Sequence, residues 1–108
     1  MIIVKNIYDV ENINLSDEFF EDLLKQKGFR LERIISKGHV TESDYWYDQD
    51  EDEFVLLLKG FAKLLFEDNS IIELKEGDYI LIPKHVKHKV IYTDKNNKTF
   101  WLTCYFKS

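Results

Sequence analysis

Cysteine is nearly absent. Cys104 stands alone, so no internal disulfide can form, and a reducing, cytoplasmic home is the simplest inference. Long apolar runs are missing too. The longest, such as Val55 to Leu58, fall far short of the roughly 20 residues that a membrane-spanning helix needs. The opening Met1-Ile2-Ile3-Val4-Lys5-Asn6 lacks the basic start and extended apolar stretch of a secretory signal. Nor is there an excess of basic charge: fifteen Lys and Arg stand against twenty Asp and Glu, a net charge of −5. That balance argues against a nucleic-acid surface, which needs clustered cations to displace counterions. No Ser-His-Asp order, glycine-rich phosphate loop or Cys-x-x-Cys pair occurs. Without repeat, low-complexity tract or linker, the 108 residues read as one domain, 1–108, around one core.

Bulky side chains are plentiful. The apolar fraction is 44% and the aromatic fraction 15%, and flat or branched side chains favour the pleated surface of strands. Residues 1–5 are apolar and β-branched, which suits an opening strand. Ser16-Asp17-Glu18 then reads as a helix start, with a hydroxyl at the cap and acids facing the positive end. Phe19, Phe20, Leu23 and Leu24 fall at helical spacing and Gly28 reads as a stop. One short N-terminal helix bracing a sheet is expected.

From Phe29 onward the period becomes two. Phe29 to Ile35 alternates and ends at Lys37-Gly38; Glu53 to Lys59 is nearly continuous in apolar residues. Ala62 to Phe66, Ile71 to Leu74, Tyr79 to Ile82, Val86 to Thr93 and Phe100 to Phe106 complete the set, separated by Gly, Asp and Asn turns. Strands at intervals of about 8–12 residues predict an all-β sandwich or barrel. Lys84, Lys87 and Lys89, alternating with Val86, His88 and Val90, read as the solvent face of a strand.

Two stretches resemble the cupin family. Gly77, Pro83 and His88 stand at the spacing of the family's second motif, with His85 in the place of its second glycine and Tyr92 in that of its asparagine. Glu53 and Gly60 match the end of the first motif, whose two histidine positions hold Trp46 and Asp48 or, in the shorter spacing, Tyr47 and Gln49. The resemblance spans Lys37 to Tyr92 and implies a small jelly-roll β-barrel. It also implies an interior site for one divalent transition metal (Fe, Mn, Ni or Zn), with Glu53 and His88 as ligands, Gln49 as a weaker oxygen donor and His39 as the natural third. Alternation independently puts Glu53, Val55 and Leu57 on one face, and His88, Val90 and Tyr92 on one face. If those faces line the interior, Glu53 and His88 are buried titratable groups needing a partner or a cation.

Each candidate has a plain counterpart. Glu53 also suits a solvated end to the acidic run Asp50-Glu51-Asp52, and His88 a satisfied core imidazole. His85 belongs to a turn and is expected at the barrel mouth, either exposed or facing the pocket rim. Tyr45, Trp46 and Tyr47 form either an aromatic wall for a planar ligand or ordinary packing, and Cys104 reads as an inert core thiol. Two functions are expected side by side. One is a barrel binding a polar small molecule at Tyr47, Gln49, Glu53, His85 and His88. The other is a metal-dependent oxygenase or isomerase on a small polar substrate. The apolar N-terminus, through Ile2, Ile3 and Val4, is expected to cover a partner's sheet edge in a homodimer.

Overall fold

Alternating apolar and polar side chains commit one face of each segment to an interior, and a computed structural model describing residues 1–107 shows how those faces meet. The strands are β1 (Phe19–Gln26), β2 (Phe29–Ser36), β3 (Asp52–Lys59), β4 (Phe61–Phe66), β5 (Ile71–Lys75), β6 (Tyr79–Ile82), β7 (His88–Thr93) and β8 (Thr99–Phe106). They form two antiparallel sheets, one in the order β1-β2-β8-β3-β6 and one in the order β5-β4-β7. Ile34, Val55, Leu57, Ile82 and Trp101 from the larger sheet pack on Ala62, Leu64 and Leu74 from the smaller. The fold is thus an all-β jelly-roll barrel.

The expected N-terminal helix is a strand. Phe19 to Gln26 pairs antiparallel with β2, and the register shifts between Asp22 and Leu24. An extra residue in a strand breaks the period of two. Here it spaces Phe19, Phe20, Leu23 and Leu24 as a helix would. Gly28 is not a helix stop but part of the turn joining β1 to β2, whose flanking residues Gln26 and Phe29 are paired. Residues 1–5 are not a strand either: they pair with no strand among the described residues, and Ile2 and Val4 are more than nine-tenths exposed.

The next few residues cross the outer face of the large sheet. The Arg33 guanidinium donates to the carbonyls of Ile7 (3.0 Å) and Asp9 (2.6 Å) and pairs with Glu21 at 2.9 Å. Tyr8 meets Phe100 edge-on at 5.2 Å between centroids. This cover explains why β2 is buried on both faces, with Arg33, Ile34 and Ile35 all inaccessible.

A second bulge reshapes β7. Lys63 pairs with Tyr92 but Leu64 pairs with Val90, so Ile91 is the extra residue. His88 and Val90 keep the inward face, whereas Tyr92 turns outward and the fully buried Thr93 takes its place. Tyr92 therefore does not share a face with His88. Lys89 is also covered, contrary to its expected solvent exposure. Its ammonium donates to the Ser43 carbonyl at 2.7 Å and lies over the Trp46 ring at 4.3 Å, under the loop that precedes β3.

The chain passes from one sheet to the other at Gly60, whose φ is +107°. A Cβ there would run into Thr99 Oγ1 and stand 2.7 Å from the Thr99 backbone. Gly77 also has a positive φ, +88°, but nothing lies within 4 Å of the Cβ position. Gly77→Ala is expected to cost backbone strain alone, about 1–2 kcal/mol. Gly60→Ala adds a clash with buried backbone and is expected to cost about 3 kcal/mol or more. Denaturant unfolding of the two variants checks the order, and equal losses would contradict it.

Candidate functional site

Pleating sends Glu53 inward from β3 in the large sheet, and His88 inward from the first position of β7 in the small one. They meet across the interior with His88 Nε2 3.3 Å from Glu53 Oε1, both residues only 6% exposed. The imidazole is held from several sides. Tyr47 stacks on it at 5.7 Å and 26°, Phe66 lies at 6.0 Å, and the Tyr47 and His88 backbones exchange hydrogen bonds in an isolated bridge. Nδ1 contacts the Val86 carbonyl at 3.0 Å. A carbonyl only accepts, so Nδ1 carries a proton and Nε2 is the titrating atom that faces the carboxylate.

These groups open onto a cavity of about 60 Å³. At about 10–15 Å³ per enclosed water by this measure, it has room for roughly four to six waters or a ligand of a few heavy atoms. Phe20, Ile34, Leu64 and Trp101 give it an apolar character; its polar side chains are Glu18, Tyr47, Glu53, His88, Thr103 and Tyr105. Two buried polar atoms on this wall, Glu53 Oε1 and Thr103 Oγ1, have no hydrogen-bond partner. The His88 contact is thus an ion-pair approach and not an aligned hydrogen bond.

The electrostatics follow from burial. Desolvation disfavours a charged His88, but the Glu53 carboxylate and the Val86 carbonyl outweigh it, and the pKa lies above the ordinary histidine value. Burial raises the Glu18 carboxyl against the Ser36 hydroxyl that hydrogen-bonds it and the nearby His39. Burial likewise raises Glu32, against the opposing pull of Arg30. The Tyr47 phenol is pushed up by burial first and then by Glu18, Tyr45, Glu53 and Glu32, and Tyr105 is pushed up by burial and Glu53.

The structure brings together Tyr47, Glu53 and His88 among the residues expected from sequence. Gln49 does not line the cavity; its carbonyl accepts from the His85 backbone at 2.8 Å. His85 lies at the surface, 3.0 Å from Asp48, with φ +63°. This left-handed backbone is what a glycine would adopt without strain, which explains the glycine of the motif at that position. His39 does not reach the cavity wall. It accepts from the Lys37 backbone at 2.9 Å, and its other nitrogen lies 3.4 Å from the Ser16 carbonyl. Tyr45 packs edge-on against Tyr47 and Trp46 under Lys89, so the aromatic trio divides, with only Tyr47 on the wall. Cys104 is partly exposed with a thiol pKa raised by desolvation, which keeps it protonated and unreactive. Glu18, Thr103 and Tyr105 escaped the sequence reading. Glu18 was assigned to the first turn of a helix, while the alternation Trp101, Thr103, Tyr105 in β8 was a visible signal for the other two.

The donors do not fit a resident transition metal. Protein-held sites draw on three or more ligands, and among the described residues no group of three His, Cys, Asp or Glu side chains is arranged to hold an ion. Glu53 and His88 converge, but His39 and Gln49 lie off the wall.

The raised pKa values set the sign of a pH effect. His88 binds its proton more tightly when folded, so its contribution is fully present below the unfolded value of 6.5 and lost as pH rises through the folded value. Glu18 and Glu32 act in the same sense from 4.5 upward. Asp68 and Asp94, lowered by hydrogen bonds from Ser70 and from Asn96 and Asn97, act in the opposite sense only below 3.8. The denaturant midpoint is therefore expected to fall from about pH 5 to about pH 8, and His88→Gln to remove the part above about 6.5. A rising midpoint would contradict the assignment.

Comparison with known proteins agrees with the fold. The cupin domain profile matches residues 32–105. A Ralstonia eutropha JMP134 structure, provisionally named a mannose-6-phosphate isomerase, is 32% identical, covering 98% of this chain and 99% of that one at a TM-score of 0.88. A cupin superfamily protein from Desulfitobacterium hafniense DCB-2 is 17% identical over 88% of this chain and 82% of its own, at 0.73. An RmlC-like cupin from Shewanella frigidimarina NCIMB 400 is 16% identical over 84% and 77%, at 0.69. No curated protein matches the chain. With its two sheets, its motif glycines and the profile match across most of its length, the chain belongs to the cupin domain family.

Proposed function

We propose that this chain binds one small polar molecule inside the barrel, against Glu53 and His88, without a metal held by the protein. The observation that carries this reading is the buried Glu53 carboxylate on the cavity wall, whose Oε1 meets only His88 Nε2, at 3.3 Å and without hydrogen-bond alignment, among the described residues. A buried polar group without a partner costs about 1–3 kcal/mol, more when charged. An occupant that donates to the carboxylate recovers that cost, and His88 beside it offers a second polar contact. Gln49 and His85 stand outside the wall, at the loop where their backbones are joined.

The Ralstonia relative's name suggests a second reading, isomerisation of a phosphorylated sugar. Recognition of a phosphate draws on Arg, Lys or clustered backbone donors, and no Lys or Arg lines the cavity. A metal-dependent oxygenase or isomerase is likewise disfavoured by the incomplete ligand set.

Protein prepared without a histidine tag is expected to carry well under one equivalent of Fe, Mn, Ni or Zn by elemental analysis. Stoichiometric metal that disappears in a folded His88→Ala variant would overturn this reading in favour of the metal enzyme. A small polar ligand is expected to shift the ring signals of Tyr47 and Tyr105 in NMR titrations. His88→Ala is expected to weaken it by about tenfold or more, from the loss of a hydrogen bond to a charged group.

The same reading includes assembly in the cytoplasm as a homodimer. The exposed Ile2, Ile3 and Val4 and the partly exposed outer sheet residues Phe54, Leu81 and Phe106 offer apolar surfaces that a second copy would cover. Light scattering at high micromolar concentration is expected to give twice the chain mass, and removal of residues 1–5 to reduce it. A monomer throughout would contradict the dimer.

A further inference from the structure

Small-molecule binding leaves the charge of the ligand open, and the cavity wall restricts it. Two carboxylates, Glu18 and Glu53, face one titratable imidazole, His88, and no Lys or Arg takes part. With both carboxylates ionised the wall is net negative whether or not His88 is protonated, while burial raises the Glu18 carboxyl and so weakens its share. The nearby cations do not line the cavity, though Arg30 lies against one of its walls. Arg30 lies over the Tyr105 ring at 4.2 Å and acts on Glu32, Arg33 is held on the outer face by Ile7, Asp9 and Glu21, and Lys89 donates to the Ser43 carbonyl.

The second observation is independent of this acidity. Glu53 is 94% buried by its 6% exposure, yet among the described residues its Oε1 meets only His88 Nε2, at 3.3 Å and without hydrogen-bond alignment. A buried carboxylate oxygen accepts only, so the missing group is an N–H or O–H donor. Four aromatic residues, Phe20, Tyr47, Trp101 and Tyr105, share the wall, with Tyr47 stacked on His88 and Tyr105 under Arg30, and aromatic rings attract cations. In a site poor in water, opposite charges attract more strongly than in solution. An anion would meet two carboxylates, and a neutral donor would leave their field unanswered.

We propose that the ligand, on the small-molecule reading above, is a small organic cation. An amidinium or primary ammonium group would donate to Glu53 Oε1 within the ring of Tyr47, Trp101 and Tyr105, with Glu18 as the second carboxylate. The cavity of about 60 Å³ limits the buried part to a few heavy atoms. An amidinium fits the carboxylate well because its paired N–H groups match two oxygens in one plane.

Acetamidinium, acetamide and acetate test the proposal, being nearly identical in shape and differing in charge. NMR titration of the intact protein follows the Trp101 indole and the Tyr47 and Tyr105 rings. Acetamidinium is expected to bind in the millimolar range, as so small a molecule must, at least about tenfold tighter than acetamide, with acetate giving no cavity shift. Glu53→Gln, nearly isosteric, is expected to bring acetamidinium down to the affinity of acetamide. If that variant does not fold, the ranking of the three probes on the unaltered protein decides. Acetamide or acetate binding as tightly as acetamidinium would overturn the cationic class while leaving a small-molecule barrel in place. No cavity shift with any probe would overturn both.

Discussion

Glu53 and His88 approach to 3.3 Å from opposite sheets, and that approach constrains much of the barrel around it. Neither group is tolerable in an apolar interior alone, because an unpaired buried charge costs several kcal/mol. The chain meets the constraint with local devices. Pairing of β3 with β6 and β8 fixes which face Glu53 presents, the Tyr47 bridge anchors the start of β7, and the Val86 carbonyl sets the tautomer of His88. Four buried polar atoms among the described residues lack an aligned hydrogen bond, Arg30 Nε, Arg33 Nε, Thr103 Oγ1 and Glu53 Oε1, and the last bears most directly on the site.

Other interior polar groups are better matched. Trp101 Nε1 donates to Ser36 Oγ at 3.0 Å, the Ser36 hydroxyl bonds Glu18, and Tyr105 lies 3.4 Å from Glu32. The β2 strand thereby supplies partners on its inner face through Ser36 and Glu32, while its outer face is sealed by Tyr8 and the Arg33 anchors. Networks of this kind hold a core in one arrangement when every member is satisfied. Here Ser36 and Glu32 of β2 find partners, while Arg30 Nε and Arg33 Nε on the same strand and Glu53 Oε1 at the cavity lack an aligned hydrogen bond among the described residues.

Much of the barrel was legible in the residues. Strict alternation in β3 placed Glu53 with Val55 and Leu57, and the Asp68-Asn69-Ser70 turn forms as its residue types require, with Asp68 accepting from Ser70 at 2.9 Å. Legibility failed where a bulge intervened. Leu23 disguised a strand as a helix, and Ile91 turned Tyr92 away from His88; an inserted residue leaves no mark in a periodic pattern until the partner strand is known. Long-range placement failed for His39 and Gln49 for a related reason. Both sit in the irregular segment between β2 and β3, whose course is fixed by hydrogen bonds such as Thr41 to Val90 and Thr93 to His39. No local period encodes such bonds. Glu18 was hidden by the same misreading that concealed β1.

The central claim is that Glu53 and His88 form a coupled pair inside the barrel, with the titrating proton on the nitrogen that faces the carboxylate. Side-chain nitrogen NMR of His88 across pH tests it directly. The account predicts that His88 titrates above the ordinary value of 6.5, that its neutral form keeps the proton on Nδ1, and that Glu53→Gln lowers the pKa because only desolvation and the Val86 carbonyl then remain. A ring that titrates at or below the ordinary value, or whose titration is unmoved by Glu53→Gln, would contradict it.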